Sequence, residues 1–271
     1  MSIRTTTTLV ALAVLATGAL ACDTCAKDKI VGKAEILGNG LVWSWAKVDS
    51  KGNPIAIGIS MTETALQGLP GKELMPPGPE PTMEIMLELP EKIKGKPFTQ
   101  VGFHWNPVGH VPEGIYNVPH FDVHFYTIGE DIRTNITAVG DDLKVCQKTP
   151  DPKFVPASYI LPPGTIVPRM GAHWITPSSP EFNGKPFTTT FLWGSYNGQP
   201  IFWEPMVTKA FLETKPNFTE DIKLPQAYEK PGYYPTRYTV TYNADRKEYS
   251  ISLASLTPQG IAEAKVDTAA K

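Results

Sequence analysis

Prolines and glycines interrupt this chain so often that its regular structure must come in short pieces. The 271 residues include 27 prolines and 22 glycines, and the runs between them are rich in Val, Ile, Thr, Phe, Tyr and Trp. Proline and glycine mark turns, whereas β-branched and aromatic residues favour strands. The pattern therefore predicts a mainly β protein with many turns.

Two segments near opposite ends of the chain predict β-hairpins. Residues 40–61 contain two alternating runs around Asp49-Ser50-Lys51-Gly52-Asn53-Pro54, a composition typical of tight turns. Residues 237–256 follow the same pattern, with Asn243-Ala244-Asp245 at the turn. A short helix is expected between them, within residues 62–70.

The middle of the chain contains an internal repeat. The elements PPG and GKPFT each occur twice, in the same order and roughly 85–90 residues apart. Two related β units, about 74–145 and 161–235, are therefore predicted within a single β architecture over residues 22–245. We expect them to pack as a sandwich or a barrel, with a cupin-like barrel as one form. The alternative explanation of the repeat is a coincidence between turns rich in proline and glycine. A terminal strand and a polar tail are expected at 246–271.

The first 21 residues predict a signal peptide. An arginine at position 4 precedes the uncharged apolar stretch 9–21, which ends in Ala-Leu-Ala and is too short to span a bilayer comfortably. Cleavage after Ala21 would export the chain to the periplasm or the extracellular space. A small residue before Cys22 also resembles the bacterial lipoprotein cleavage box. A membrane anchor through lipidated Cys22 is therefore the alternative to plain secretion.

Charge and cysteine content exclude several classes of function. The formal net charge is −2 and no basic stripe occurs, so we expect no nucleic-acid partner. The CDTC stretch at 22–25 is not followed by a thioredoxin-like unit, which argues against a redox site. If Cys22 is lipidated, Cys25 and Cys146 remain as a candidate disulfide pair. The sequence leaves open whether the protein acts on a small molecule, whose identity it does not reveal, and whether the protein forms a homo-oligomer.

The stretch PHFDVHFY, residues 119–126, contains two of the five histidines in the chain, and four of the five lie between 104 and 124. Side chains on a strand alternate between its faces, so His120, Asp122 and His124 would share one face and the apolar residues between them the other. Next-but-one residues on a flat strand lie about 6–7 Å apart. A bend or a barrel wall is therefore needed to bring both histidines to one ion.

Other candidate ligands lie outside this strand. His110 follows in a loop rich in proline and glycine, while His173 and Glu204 are polar residues set among bulky apolar ones. Imidazole and carboxylate without cysteine suit zinc, and also iron, manganese or copper. We predict one divalent ion, with zinc as the first choice, bound by His110, His120 and His124. A fourth group would come from His173, Glu204 or water.

Three stretches of the sequence resemble an exported bacterial family of unknown function, the TTHB-type domain. They are GNGLVWSWAKVDSKGNPIAIGISMTETALQGLP, GHVPEGIYNVPHFDVHFY and PIFWEPMVTKAFL, and the middle one is the most specific. The resemblance covers most of the chain after the predicted signal. It implies export, a single architecture and a characteristic site in the histidine-rich stretch, but no reaction. A looser similarity to cupins is an analogy of fold alone, because their HxH motif followed by a nearby Glu is missing.

Three classes of function fit these observations. The first is a zinc-dependent hydrolase or lyase, in which Asp122 or Glu204 is the predicted catalytic group, as general base or as a residue that orients a ligand. The second is a non-catalytic extracytoplasmic metal-binding protein, and the third is an envelope-stress protein with a structural metal. The alternative for the whole stretch PHFDVHFY is that it is an ordinary packed strand without a metal site. Taken alone, His104 and His173 are each expected to be packed histidines with satisfied hydrogen bonds, because each lies among aromatic and apolar residues.

Overall fold

The structure, a computed structural model, describes residues 29–75, 81–93 and 97–260. The predicted signal peptide, Cys22 and the polar tail at 261–271 lie outside the described residues. Strands account for 43% and helices for 13%, which confirms the prediction of a mainly β protein. Two large antiparallel sheets pack together, and one of them is curled as a half-barrel.

The six-stranded sheet comes from both ends of the described chain. Its strands are β1 (Ile30–Leu37), β2 (Gly40–Val48), β3 (Pro54–Thr62), β11 (Asn217–Asp221), β13 (Arg237–Asn243) and β14 (Glu248–Ala254). They lie in the order β1-β2-β3-β14-β13-β11. The two ends of the chain meet where β3 pairs with β14.

The seven-stranded sheet comes from the middle of the chain. Its strands are β4 (Met83–Glu88), β5 (Gln100–Asn106), β6 (His120–Tyr126), β7 (Ile166–Val167), β8 (Gly171–Trp174), β9 (Thr189–Tyr196) and β10 (Gln199–Thr208). Their order is β4-β5-β6-β10-β9-β8-β7. A two-stranded sheet joins β12 (Gly232–Tyr234) to β15 (Thr257–Gln259).

Helices are short. The α-helices are α1 (Glu130–Arg133), α2 (Gly140–Cys146) and α3 (Lys209–Glu213), and the 3-10 helices are Glu63–Leu66, Lys72–Leu74, Pro152–Phe154 and Pro180–Asn183. Across the described ranges, no helix has both the length and the apolar character needed to cross a membrane. Cys146 is buried at the end of α2, and its predicted disulfide partner Cys25 lies outside the described residues.

Both predicted hairpins form. In the β2–β3 hairpin, Asp49 Oδ1 accepts hydrogen bonds of 2.8 Å from the backbone N–H groups of Lys51 and Asn53, which close the turn. In the β13–β14 hairpin, Asn243 Oδ1 accepts a bond of 2.9 Å from the N–H of Arg246. Asp and Asn favour turns because their side chains bond to backbone groups a few residues ahead.

The two GKPFT elements lead into strands at matching places in the seven-stranded sheet. One precedes β5 and the other precedes β9, and these strands flank the central pair of β6 and β10 on either side. The first PPG element, within residues 76–80, lies outside the described residues. The strands β4–β6 of the first predicted unit and β7–β10 of the second are therefore neighbours in one sheet, while the second unit also contributes β11 to the six-stranded sheet and β12 to the two-stranded sheet. This arrangement is compatible with duplication, which stays a prediction.

The two faces of the seven-stranded sheet carry different residue types. Odd-numbered residues of its central strands, including Phe103, Phe121 and Trp203, pack into the main apolar core. The same core contains Ile59 and Ile251 from the six-stranded sheet. Even-numbered residues point to the opposite face, which presents the histidines and carboxylates.

Candidate metal centre

A pocket of about 390 Å³ lies over the polar face of the seven-stranded sheet. Five of the predicted site residues line it: His110, Asp122, His124, His173 and Glu204. The sixth, His120, is fully buried beside His110. Apolar residues of segments 164–170 and 110–112 form much of the remaining wall.

Strand pairing brings these residues together from distant parts of the chain. Alternation along β6 places His120, Asp122 and His124 on the polar face, as the sequence predicted. Met206 of β10 pairs with Asp122, and the same register places Glu204 opposite His124. On the far side of β10, His173 of β8 pairs with Gly194 of β9. His110 comes from the loop that follows β5.

The first cluster consists of His110, His120 and Asp122. The Nε2 atoms of the two histidines are 3.0 Å apart. Asp122 Oδ1 lies 3.1 Å from His120 Nε2, and Oδ2 lies 3.4 Å from His110 Nε2. Asn106 of β5 donates a hydrogen bond of 2.7 Å to Asp122 Oδ2. Three ligand atoms thus converge on one point beside the pocket.

The second cluster consists of His124, His173 and Glu204. The Nε2 atoms of His124 and His173 are 3.5 Å apart. Glu204 Oε1 lies 3.3 Å from His124 Nε2, and Oε2 lies 3.8 Å from His173 Nε2. His124 and Glu204 are almost completely buried, whereas His173 is partly exposed to the pocket.

Hydrogen bonds to backbone carbonyls determine which nitrogen carries the proton on three of the four cluster histidines. The Nδ1–H of His110 donates to Val111, that of His120 to Val118 and that of His173 to Thr165, over 2.7, 2.7 and 3.0 Å. A carbonyl oxygen can only accept, so each Nδ1 must hold the hydrogen. A neutral ring then directs an Nε2 lone pair into its cluster, which is the arrangement of a metal-binding histidine held by an outer hydrogen bond.

The carboxylates and imidazoles of the pocket influence one another's protonation. Burial alone would raise the pKa of Asp122, but His120 and His110 hold it well below the usual value. Burial and the negative charge of Asp122 raise the pKa of Glu204 well above its usual value. Burial lowers the pKa of His124 well below its usual value and that of His173 to about 4. Both histidines of the second cluster are therefore neutral at pH 7, the form that binds metals.

Two glycines leave room for the aromatic and imidazole rings that surround the second cluster. A Cβ atom on Gly102 of β5 would lie 3.1 Å from the His104 ring and 3.0 Å from the Tyr126 ring. A Cβ atom on Gly194 would overlap the ring of Phe202. The Phe202 ring lies 4.7 Å from that of His124 and 5.0 Å from that of His173, measured between centroids.

An ion-pair network beside the pocket contains residues that sequence reasoning missed. His104 Nε2 is 3.0 Å from Glu84 Oε1, and buried Arg133 donates to the same oxygen over 2.7 Å. Burial alone would raise the pKa of Glu84, but His104 and Arg133 lower it to about 2. The alternation of side chains along β5 could have placed Asn106 on the polar face, since it lies two residues after His104. Glu84 and Arg133 gave no comparable signal, because their contacts depend on strand pairing.

The structure divides the predicted ligands between two places. His110 and His120 stay together and take Asp122 as the third group, whereas His124 joins His173 and Glu204. His104 belongs to neither cluster, although its ring centroid lies 4.8 Å from that of His124. The strand spacing noted from the sequence accounts for this division, since His120 and His124 are four residues apart on β6.

Comparison with known proteins supports the family resemblance over part of the chain. Residues 49–105 match the family model TTHB210-like, described as hypothetical protein TTHB210. The match extends from the β2–β3 turn to β5, and it ends before β6. No curated protein and no solved structure matches the chain significantly.

Proposed function

We propose that this chain is an exported metal-binding protein that acts as a metal-dependent hydrolase, with a divalent ion, preferably zinc, held by the first cluster. The convergence of His110 Nε2, His120 Nε2 and the Asp122 carboxylate beside an open pocket carries the proposal. The apolar stretch at 9–21 supports export.

The separations within the first cluster fit the proposed ion. Zinc binds nitrogen at about 2.0–2.1 Å, so tetrahedral ligand atoms lie about 3.3–3.4 Å from one another. The two Nε2 atoms are 3.0 Å apart, and they lie 3.1 and 3.4 Å from the nearer oxygen of Asp122, which is Oδ1 for His120 and Oδ2 for His110. Both Nδ1 atoms donate to backbone carbonyls, so the Nε2 atoms are the ones that face an ion between them.

The pocket favours catalysis over a purely structural role. A structural zinc site is closed by four protein ligands, whereas a catalytic one has three and an open position. The first cluster offers three, and His110 reaches the pocket. A bound zinc ion would supply Lewis-acid activation of water and of the substrate. Asp122 would serve as a ligand, and Glu204 faces the same pocket from β10, where it can hold a proton or bind a cation.

The test compares two matched histidine variants. His120→Gln removes a ligand of the first cluster, and His104→Gln makes the same change on the neighbouring strand outside both clusters. We expect His120→Gln to weaken zinc binding at this cluster by at least about 100-fold, since losing even an outer hydrogen-bond partner costs about 10–100-fold. The His104 variant should bind zinc like the native chain. Elemental analysis after equilibrium dialysis against buffered zinc gives the measurement.

Catalysis is tested separately with p-nitrophenyl acetate and p-nitrophenyl phosphate. The native chain with zinc should hydrolyse at least one of them, and a chelator or His120→Gln should abolish the reaction. A native chain that takes up no zinc at the first cluster refutes the proposal. Zinc binding without hydrolysis of either ester would favour the non-catalytic alternative.

A further inference from the structure

We propose that the second cluster, His124, His173 and Glu204, is a separate binding site for a second divalent ion in the same pocket. This site goes beyond the proposed function, which requires only the first cluster. The two sites have no residue in common, so each can be tested without the other.

The separations within the second cluster fit a tetrahedral cation. The contacts of His124 Nε2 with Glu204 Oε1, of the two Nε2 atoms with each other and of His173 Nε2 with Glu204 Oε2 measure 3.3, 3.5 and 3.8 Å, against about 3.3–3.4 Å expected for zinc. One ligand atom from each residue lies within 4.8 Å of the other two. The atoms belong to three strands, β6, β8 and β10, so backbone pairing on both sides of β10 holds them in place. Two imidazoles and one carboxylate are also the donors that zinc accepts in catalytic sites.

The buried carboxylate of Glu204 provides the second observation. Glu204 is 2% exposed, and its Oε2 has no hydrogen-bond partner among the described residues. Within the described ranges its ion-pair partners are His124 and His173, with no lysine or arginine. A buried carboxylate without a compensating charge is costly, so such a group either holds a proton or is paired with a cation. A cation between Glu204 and the two rings would remove that cost.

The rings of the second cluster are already oriented for binding. The Nδ1–H of His173 donates to the carbonyl of Thr165, which directs its Nε2 toward Glu204 and His124. The His124 ring stacks on Tyr126, with an interplanar angle of 10°, and it contacts Phe202 edge-on. Packing therefore orients the His124 ring, whose buried Nδ1 has no hydrogen-bond partner among the described residues.

The two sites are adjacent along β6. Asp122 of the first cluster and His124 of the second are next-but-one residues, about 6–7 Å apart, on the same strand face. Asp122 and Glu204 line the same pocket, which also places the clusters close together. Both open on one pocket, so one small molecule could contact both ions.

The experiment measures metal stoichiometry rather than activity. The full chain, His120→Gln, His173→Gln, the double variant and His104→Gln are dialysed against buffered Zn²⁺ and analysed for bound metal. Titration with Co²⁺, followed by visible absorption, reports binding independently. We expect two ions for the native chain and for His104→Gln, one for each single cluster variant and none for the double variant. Circular dichroism of the metal-free proteins verifies that each variant folds.

Each other outcome identifies which site fails. One native ion that is lost in His120→Gln but kept in His173→Gln overturns the second site and leaves the proposed function intact. One ion that is lost in His173→Gln but kept in His120→Gln refutes the first site instead. One ion that either variant abolishes means that the clusters share a single ion, which overturns the two-site proposal. A native chain without bound metal refutes both.

Discussion

The two faces of the seven-stranded sheet show how one strand can serve both stability and chemistry. On one face of β6, Phe121 and Phe125 pack into the main core, where the Phe121 ring contacts those of Phe103 and Trp105. On the other face, His120, Asp122 and His124 are equally buried but are polar. Burial therefore does not separate structural from functional residues here. The difference lies in whether a buried group finds its partners in the fold or needs a ligand from outside.

The largest expected effect comes from the apolar face. Phe103→Ala removes a fully buried ring that stacks on Phe121 at 5.2 Å. We expect the free energy of unfolding to fall by about 3–5 kcal/mol, since lost burial and the remaining cavity both contribute. Urea denaturation of metal-free protein measures it. A loss below about 1 kcal/mol would show that this face is not the main source of stability.

The two ligand clusters on the polar face should stabilise the fold only when ions are present. With free Zn²⁺ at 100 times its dissociation constant, each occupied site adds about 2.7 kcal/mol. A chelator should remove this gain in stability. His120→Gln should lose the part of the gain that the first cluster contributes. Thermal unfolding with and without Zn²⁺ measures both. An equal gain in Phe103→Ala serves as the control, because that change leaves the ligands in place.

The Glu84 network should make stability depend on acidity. Its folded pKa, about 2, is below the ordinary value of 4.5, so its contribution is present above pH 4.5 and is lost as pH falls toward 2. Glu84→Gln should cost about 2 kcal/mol at neutral pH, after allowance for solvent screening. The difference from the native chain should shrink as pH falls below 4.5. A difference that stays constant with pH would mean that the charge of Glu84 contributes nothing.

The smallest expected effect is at Gly102, where the polar face has little spare room. Gly102→Ala places a methyl group 3.0–3.1 Å from Tyr126 and His104. The neighbouring rings must shift by a few tenths of an ångström, so we expect a cost of about 1 kcal/mol. Because the Tyr126 ring stacks on that of His124, zinc affinity at the second cluster should fall while that at the first stays unchanged. Equal losses at both would show that the clusters are coupled.

The local sequence pattern was enough to predict strands and hairpins, but it did not predict that the metal-ligand candidates divide between two clusters. Alternation in PHFDVHFY indicated the shared face of His120, Asp122 and His124, and turn residues indicated both hairpins. The assignment of His124 to a different cluster from His120 depends on Glu204 lying opposite it and on His173 lying beyond β9. Those pairings join residues 49 and 80 positions from His124, and their register comes from packing that no local pattern encodes.

The pairing of β3 with β14 has a consequence for the order of folding. Partners such as Ile59 and Ile251 come from opposite ends of the chain, so the six-stranded sheet cannot be completed until nearly the whole polypeptide is available. Contacts between residues so distant in sequence slow folding, because loop closure costs entropy before any contact forms. A chain that folds late stays extended for longer after synthesis. That delay would favour threading through a secretion channel, as the apolar stretch at 9–21 predicts.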